Sequence, residues 1–237
     1  MMSRKRIGIR CAGVLLLILP ALLMKAQADH ESDQLHTDLT KKMDLKTQGW
    51  SRGGFLNIGV NEGLLENWAA GGERMSFAAN GLFNGFISRQ KGSSAFDNTL
   101  DMHYGLSYAA STSFVPRKLD DRIDFSSRYG LQPKKWTAQA KGWKKNLYFM
   151  GLFRFQTQLS KGYDYSKTGW KDNPISQFLS PAYMTFALGM EWRNDDKFSL
   201  FVSPVAAKET FVSAHYTQNG TAFGVLQGKT SKAELGA

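Results

Sequence analysis

Thr99-Leu100-Asp101-Met102-His103-Tyr104-Gly105-Leu106-Ser107-Tyr108 decides the fold. Leu100, Met102, Tyr104, Leu106 and Tyr108 occupy every second position, and Thr99, Asp101, His103, Gly105 and Ser107 fill the positions between. Successive side chains of a β-strand point to opposite faces, so the segment is predicted to be a strand with one apolar and one polar face.

The pattern recurs along the chain. Gly53 to Asn61 carries Phe55 and the Leu56, Ile58, Val60 set, and Arg74 to Arg89 sets Met75, Phe77, Ala79, Phe83 and Ile87 against Ser76, Asn80 and Asn84. A third strand runs from about Phe96 to Ala110 around the opening stretch. Asp121 to Gln132 alternates Ile123, Phe125, Tyr129 and Leu131 with Arg122, Asp124, Ser126 and Arg128. Leu147 to Ser160 places Leu147, Phe149, Gly151, Phe153, Phe155 and Leu159 opposite Arg154, Gln156, Gln158 and Ser160. Tyr183 to Arg193 puts Met184, Phe186, Leu188, Met190 and Trp192 on one face and Thr185 and Glu191 on the other. Phe198 to Lys208 is less regular, because Phe201 joins the face of Ser199 and Ser203 and Pro204 removes a ladder donor.

Several of these segments exceed the roughly 5 or 6 residues usual in soluble sheets, and they suit a tilted membrane crossing of about 9 to 11. The predicted fold class is therefore all-β, an antiparallel transmembrane β-barrel with lipid outside and a polar lumen. A mean hydropathy of −0.34 is compatible with this, because only every second strand residue faces lipid.

The start of the chain reads as an export signal. Arg4, Lys5, Arg6 and Arg10 precede an apolar run from Val14 to Met24 that is too short to span a bilayer, and Ala26-Gln27-Ala28 supplies small residues for cleavage. Residues 1–28 are read as a signal peptide, residues 29–47 as a flexible polar extension and residues 48–237 as the barrel domain. Cys11 leaves with the signal, so neither a disulfide nor a thiolate metal site is expected. The formal charge of +10 falls to +5 once the signal's Arg4, Lys5, Arg6, Arg10 and Lys25 are removed, which argues against a nucleic-acid partner. Lys134, Lys135, Lys141, Lys144 and Lys145 concentrate in one connection, a solvated loop or a contact for anionic headgroups and lipopolysaccharide phosphates.

Connection length should alternate, short on the periplasmic side and long outside. Gln90 to Ala95 and Asn194 to Lys197 are tight and fall on one side. Glu62 to Glu73, Ser111 to Asp120, Lys161 to Ala182 and Glu209 to Lys229 are extended and fall on the other. Pro133 to Asn146 breaks the trend, being long yet on the tight side. Seven strands do not close an even-numbered barrel, and Glu234-Leu235-Gly236-Ala237 reads as the middle of a further strand. The expectation is that about 7–8 strands are present of a barrel with on the order of 10 to 12, with C-terminal strands missing and an edge left unpaired.

Lys118-Leu119-Asp120-Asp121-Arg122-Ile123-Asp124 with Tyr129-Gly130, Phe155-Gln156-Thr157-Gln158 with Gly162-Tyr163, Ile175-Ser176-Gln177-Phe178-Leu179-Ser180-Pro181-Ala182-Tyr183, and Leu235-Gly236-Ala237 carry a resemblance. Together they cover most of residues 48–237, and they resemble a Bacteroidota outer-membrane family of unknown function, numbered three thousand and seventy-eight among such families. The resemblance implies an outer-membrane barrel, assigns no activity, and implies that more sequence follows Leu-Gly-Ala.

On the predicted lumen face, Asp97, Asp101, His103, Arg122, Asp124, Arg128, Arg154 and Glu191 mix both signs of charge. They read as a salt-bridged filling of a narrow barrel or, alternatively, as a polar lining that selects a solute. A lipid hydrolase or acyltransferase would need a nucleophile beside an oriented base, for which His103 with Ser107 or Ser126 and Asp101 or Asp124 is the available set. Those residues point to the lumen and no Gly-x-Ser-x-Gly elbow is present, so no enzyme, cofactor or metal is expected. Trp50, Trp68, Trp136, Trp143, Trp170 and Trp192, with Tyr104, Tyr108, Tyr129, Tyr148, Tyr163, Tyr165 and Tyr183, read mostly as an interfacial girdle. Tyr163, Tyr165 and Trp170 instead fall in a predicted outer loop, where aromatics can stack on sugars or contact a partner.

The expected location is the outer membrane of a Gram-negative bacterium. The expected partners are outer-membrane lipid and lipopolysaccharide, the barrel-assembly machinery during insertion, and an envelope protein complex. The function reads as structural, envelope-assembly or small-solute transport; the alternatives are a lipid-modifying barrel enzyme and a soluble periplasmic β-sandwich binding protein.

Overall fold

The structure, a computed structural model, describes residues 48–64, 75–132, 147–194 and 198–236. Residues 1–28, read above as a signal peptide, residues 29–47, read as a polar extension, the basic connection 133–146 and Trp68, Trp136 and Trp143 lie outside them.

Eight strands form one antiparallel sheet. They are β1 (Gly49–Leu64), β2 (Met75–Lys91), β3 (Ser94–Ala109), β4 (Arg117–Leu131), β5 (Leu147–Thr157), β8 (Ala182–Asn194), β9 (Phe198–Phe211) and β10 (Ser231–Gly236). Their spatial order, β1-β2-β3-β4-β5-β8-β9-β10, is an up-and-down meander in which each strand pairs with the next. A two-residue strand, β6 (Gly162–Tyr163), pairs with β7 (Pro174–Ser176) as a separate hairpin inserted between β5 and β8. The sheet is open, with β1 and β10 as its edges. Each of the seven predicted strands is present, and several are longer than predicted, β1 by four residues at its start and three at its end.

The register carries side-chain parity across the sheet. Leu56 lies opposite Phe83, Phe83 opposite Met102, and Met102 opposite Ile123. Farther on, Phe125 opposes Phe155, Phe153 opposes Phe186, and Phe186 opposes Ala207, which opposes Leu235. The other face pairs Asn84 with Asp101, Asp101 with Asp124, Asp124 with Gln156, and Tyr148 with Glu191.

Burial on the two faces is inverted relative to a water-soluble sheet. Ile58 is 70% exposed, Leu188 63% and Phe186 52%, whereas Asp97 is 3% and Glu191 2% exposed. Bulky apolar groups left open and short polar groups shielded mean that the sheet curls around its polar face, which is the inner one. Among the described residues no second sheet covers the apolar face, as a sandwich requires.

The outer aromatics form two levels. Phe96 meets Tyr129 at 6.3 Å and Trp192 meets Phe198 at 6.1 Å near one end, while Phe77 meets Tyr108 at 6.2 Å near the other. Phe96 and Tyr108 are twelve residues apart on β3, which is about 40 Å of strand. At a tilt of about 40° this projects to about 30 Å, the thickness of a hydrocarbon core. Tyr148 and Tyr183 do not join these levels, because register puts them on the inner face opposite Glu191 and Gln156.

Connection lengths separate the two ends. At one, here the turn end, Gly92-Ser93 joins β2 to β3 with Gly92 at φ +57°; glycine at the first central position fits a hairpin turn of the II′ kind. At the opposite, loop end, residues 158–181 hold the β6/β7 hairpin, and residues 212–230 hold a four-residue helix, α1 (Ala214–Thr217). Both ends of the connection 133–146 meet the turn end.

Irregularity in β9 has a structural cause. Leu188 pairs with Val205 and Met190 with Val202, so Ser203 and Pro204 together face Gly189 alone. This β-bulge flips parity, letting Val202 and Val205 both face outward, and it removes the need for a ladder donor at Pro204. A side chain at position 189 would collide with the Val202 carbonyl. Gly189→Ala is expected to cost about 1–3 kcal/mol, read as a lowered denaturant midpoint, whereas Gly220→Ala, with open space around it, should leave the midpoint unchanged within about 0.5 kcal/mol.

Candidate functional site

The eight polar residues singled out from sequence all lie on the inner face, in three groups along the strands. In the middle, Arg154 of β5 makes a bidentate pair with Asp124 of β4, its Nε at 2.9 Å from Oδ1 and its Nη2 on Oδ2. Gln156 Nε2 donates to the same Oδ2 at 2.9 Å. Asp101 lies directly across from Asp124, and Asn84 Nδ2 donates to its Oδ1. Two carboxylates placed opposite each other repel, and Arg154 with the two amides offsets that repulsion.

Toward the turn end, Arg128 lies across from the buried Asp97, and its Nη1 is 4.0 Å from the buried Glu191 Oε1 two strands away. Toward the loop end, Arg122 Nη2 is 3.1 Å from His103 Nε2, and His103 Nδ1 is 3.5 Å from Asp120 Oδ2. Each of these arginines thus has an acidic or imidazole neighbour. The hydrolase arrangement is not assembled: both ring nitrogens of His103 face Arg122 and Asp120, Ser107 Oγ donates to the Arg117 carbonyl at 3.5 Å, and Ser126 sits opposite Thr99 and Arg154.

A second cluster, not anticipated from sequence, fixes the loop end. The buried Asp121 carboxylate accepts from Leu159 N at 2.6 Å, Ser160 N at 2.8 Å, Ser160 Oγ at 2.9 Å and Lys118 Nζ at 2.9 Å. Lys118 Nζ also donates to Gln158 Oε1 at 3.3 Å and to the Ser160 carbonyl at 3.1 Å. Gln158 Nε2 reaches the carbonyls of Gln177 and Ser180 at 2.9 and 3.3 Å. Ser176 Oγ donates to Gln158 Oε1 at 3.2 Å, and Ser180 Oγ accepts from Ser213 N at 2.9 Å. The stretches around Lys118, Gln158 and Ser180 are therefore tied into one knot joining β4, the 158–181 loop and the 212–230 loop. Leu159, expected as an outward strand residue, instead lies past the end of β5, because its amide is committed to Asp121.

The loop aromatics pack on one another. Tyr165 and Trp170 are 4.9 Å apart, Tyr163 and Trp170 5.3 Å, and Tyr163 and Tyr165 6.1 Å. The Tyr165 hydroxyl donates to the Pro116 carbonyl at 3.4 Å and accepts from Lys118 N at 3.2 Å, while the Arg117 guanidinium lies 5.2 Å from its ring. Trp170 meets both tyrosines edge-on, so the three rings form a folded packet rather than a flat platform. In the adjoining turn, donation by the Ser166 hydroxyl and amide, with Lys167 nearby, holds the Asp164 carboxyl below its ordinary range. Burial pushes the Tyr216 phenol up, with Tyr163 adding to the shift.

Three outcomes follow from this geometry. Asp121→Asn presents a donor to donors and should cost about 2–3 kcal/mol, with protease cleavage appearing in residues 158–181. Arg154→Met leaves Asp124 uncompensated; because Arg154 is half exposed, a cost of about 1–2 kcal/mol is expected rather than the fully buried figure. Adding Asp124→Asn should recover at least half of it, as read from denaturant midpoints. A lowered folded-state value stabilises above the unfolded value and is lost as pH falls through the folded one. The Asp164 turn should therefore persist to below the ordinary aspartate range, and Ser166→Ala should move its side-chain NMR titration midpoint upward.

Residues 60–163 match the model of a family described as a protein of unknown function (DUF3078). That span takes in Lys118, Asp121, Gln158 and Gly162, and ends before the 175–183 stretch. No curated protein and no solved structure matches the chain.

Proposed function

We propose that this chain forms a β-barrel wall in the outer membrane of a Gram-negative bacterium of the Bacteroidota type, with a structural or envelope-assembly role. The observation that carries the reading is the inverted burial: large apolar side chains exposed on β1, β2, β4, β5, β8, β9 and β10, with the carboxylates of Asp97, Asp124 and Glu191 shielded inside. In water, exposing that band would be costly; in lipid it is the expected outer surface.

The pairing of Arg122, Arg128 and Arg154 with inner-face acids and His103 favours a filled interior over a solute-selecting one. Arg–carboxylate pairs that span neighbouring strands brace the wall, whereas selectivity for an ion needs an excess of one sign. Lipid also imposes closure, since backbone groups on the free edges of β1 and β10 have no water to bond there. The proposal therefore includes further strands pairing with both edges.

The test is envelope fractionation of the full-length gene product, followed by electrophoresis with and without boiling. Outer-membrane enrichment with a faster-migrating unboiled band is expected. A soluble periplasmic protein without a mobility shift would overturn the proposal.

A further inference from the structure

The outer face is not electrically uniform along the strands. Its described carboxylates, Glu62, Asp121 and Glu209, lie toward the loop end, and Asp121 is already bound by Lys118. Toward the turn end, the outer face of β1 and β2 carries Arg52, Arg89 and Lys91, all exposed, and no carboxylate among the described residues. The acids at that level, Asp97 and Glu191, are buried on the inner face.

The three cations are held close together by register. Arg89 lies directly across from Trp50, with its guanidinium 5.1 Å from the Trp50 ring centroid. Arg52 pairs with Ile87, which makes it the diagonal neighbour of Arg89, about 7–8 Å away in an antiparallel pair. Lys91 follows on the same face at the end of β2, beside a turn fixed by Gln48 Oε1 accepting from Gly92 N at 2.8 Å and by Gln90 Nε2 donating to the Gly92 carbonyl at 3.2 Å. Like charges at this spacing repel unless an anion lies between them.

Directly along the strands from this group are the exposed Leu56, Ile58, Phe83 and Ile87. A cationic group, a tryptophan at the same level and an apolar strip beyond it match, in order, the phosphate, interfacial zone and acyl chains of one phospholipid. We infer that Arg52, Arg89 and Lys91, with Trp50, form a binding site for the headgroup of an anionic glycerophospholipid in the leaflet at the turn end. The inference rests on the membrane reading above, and short turns mark that end as periplasmic.

The probe is phosphatidylglycerol. Full-length protein is refolded into phosphatidylcholine vesicles with and without phosphatidylglycerol, which supplies the anionic surface. Insertion is scored by the unboiled mobility shift and by protease protection, and retained lipids are counted by native mass spectrometry. Among lipids retained by wild type, the ratio of phosphatidylglycerol to phosphatidylcholine is expected to be about tenfold that of the bilayer, because Arg and Lys attract an anionic headgroup. Arg52→Gln/Arg89→Gln/Lys91→Gln should abolish this enrichment while inserting normally into phosphatidylcholine, and Arg89→Gln alone should reduce it several-fold. Lys161→Gln/Lys167→Gln/Lys171→Gln, an equal charge change at the loop end, should leave it intact.

Insertion without enrichment, or equal loss in both triple variants, overturns the headgroup site and leaves the membrane reading standing. No insertion into either vesicle overturns both.

Discussion

Strand register is the constraint on which the rest of this structure depends. A strand's side chains alternate strictly, so slipping any one pairing by one residue would turn that strand's apolar set inward and its charges outward. Eight strands keep a common parity from Trp50 opposite Arg89 to Ala207 opposite Leu235, and the two irregular places are accommodated locally. The Ser203-Pro204 bulge opposite Gly189 absorbs the out-of-phase half of β9. A shift between Gly105 and Leu106 lets β4 start in its own frame against the end of β3. Parity then decides burial, and burial decides which charges must find each other: Arg154 reaches Asp124 because both are inner-face residues of adjacent strands, two positions apart in register.

The loop end obeys a different rule. Its long connections have no ladder to satisfy their backbone, so side chains do it instead. Asp121 takes the two amides that follow β5, Gln158 contacts two carbonyls near the start of β8, and Thr157 Oγ1 donates to the Pro181 carbonyl at 3.0 Å while accepting from Leu179 N at 3.1 Å. Asp121 sits at an odd position of β4, where parity alone would place it beside Tyr104 on the apolar face. A carboxylate is tolerated there because it is wrapped by donors, which also explains how a polar knot can border an apolar band.

What was legible from sequence follows from the same division. Period-two alternation is local, so the faces of β2, β3, β4, β5 and β8 could be read directly, and with them the inner location of Asp97, Asp101, His103, Arg122, Asp124, Arg128, Arg154 and Glu191. The partners within that set were not legible, since alternation says which face a residue occupies and nothing about which neighbour it meets. Asp121 was missed as a functional anchor because its partners Leu159 and Ser160 are 38 and 39 residues away and bind through backbone groups of unremarkable residue types. The two-residue β6, the three-residue β7 and α1 are too short to show any period. Tyr148 and Tyr183 suit a girdle by residue type, whereas parity places them inside. Six residues of β10 were visible only as a suggestion at Glu234-Leu235-Gly236.

The proposed setting makes one demand that the sheet alone does not meet. A soluble protein can leave edge strands open to water, and it protects them with charge, proline or a bulge. The outward-pointing residues of β1 include Leu56, Ile58, Val60 and Leu64, with no such protection in mid-strand. Its sixteen residues bond to β2 on one side and present their remaining amides and carbonyls on the other. In lipid each unpaired backbone group costs several kcal/mol, so about eight unpaired residues on a free edge would outweigh the 5–15 kcal/mol that holds an ordinary domain together. The apolar band and the open edge are therefore linked properties. If the band lies in lipid, the free edges of β1 and β10 must both be paired there.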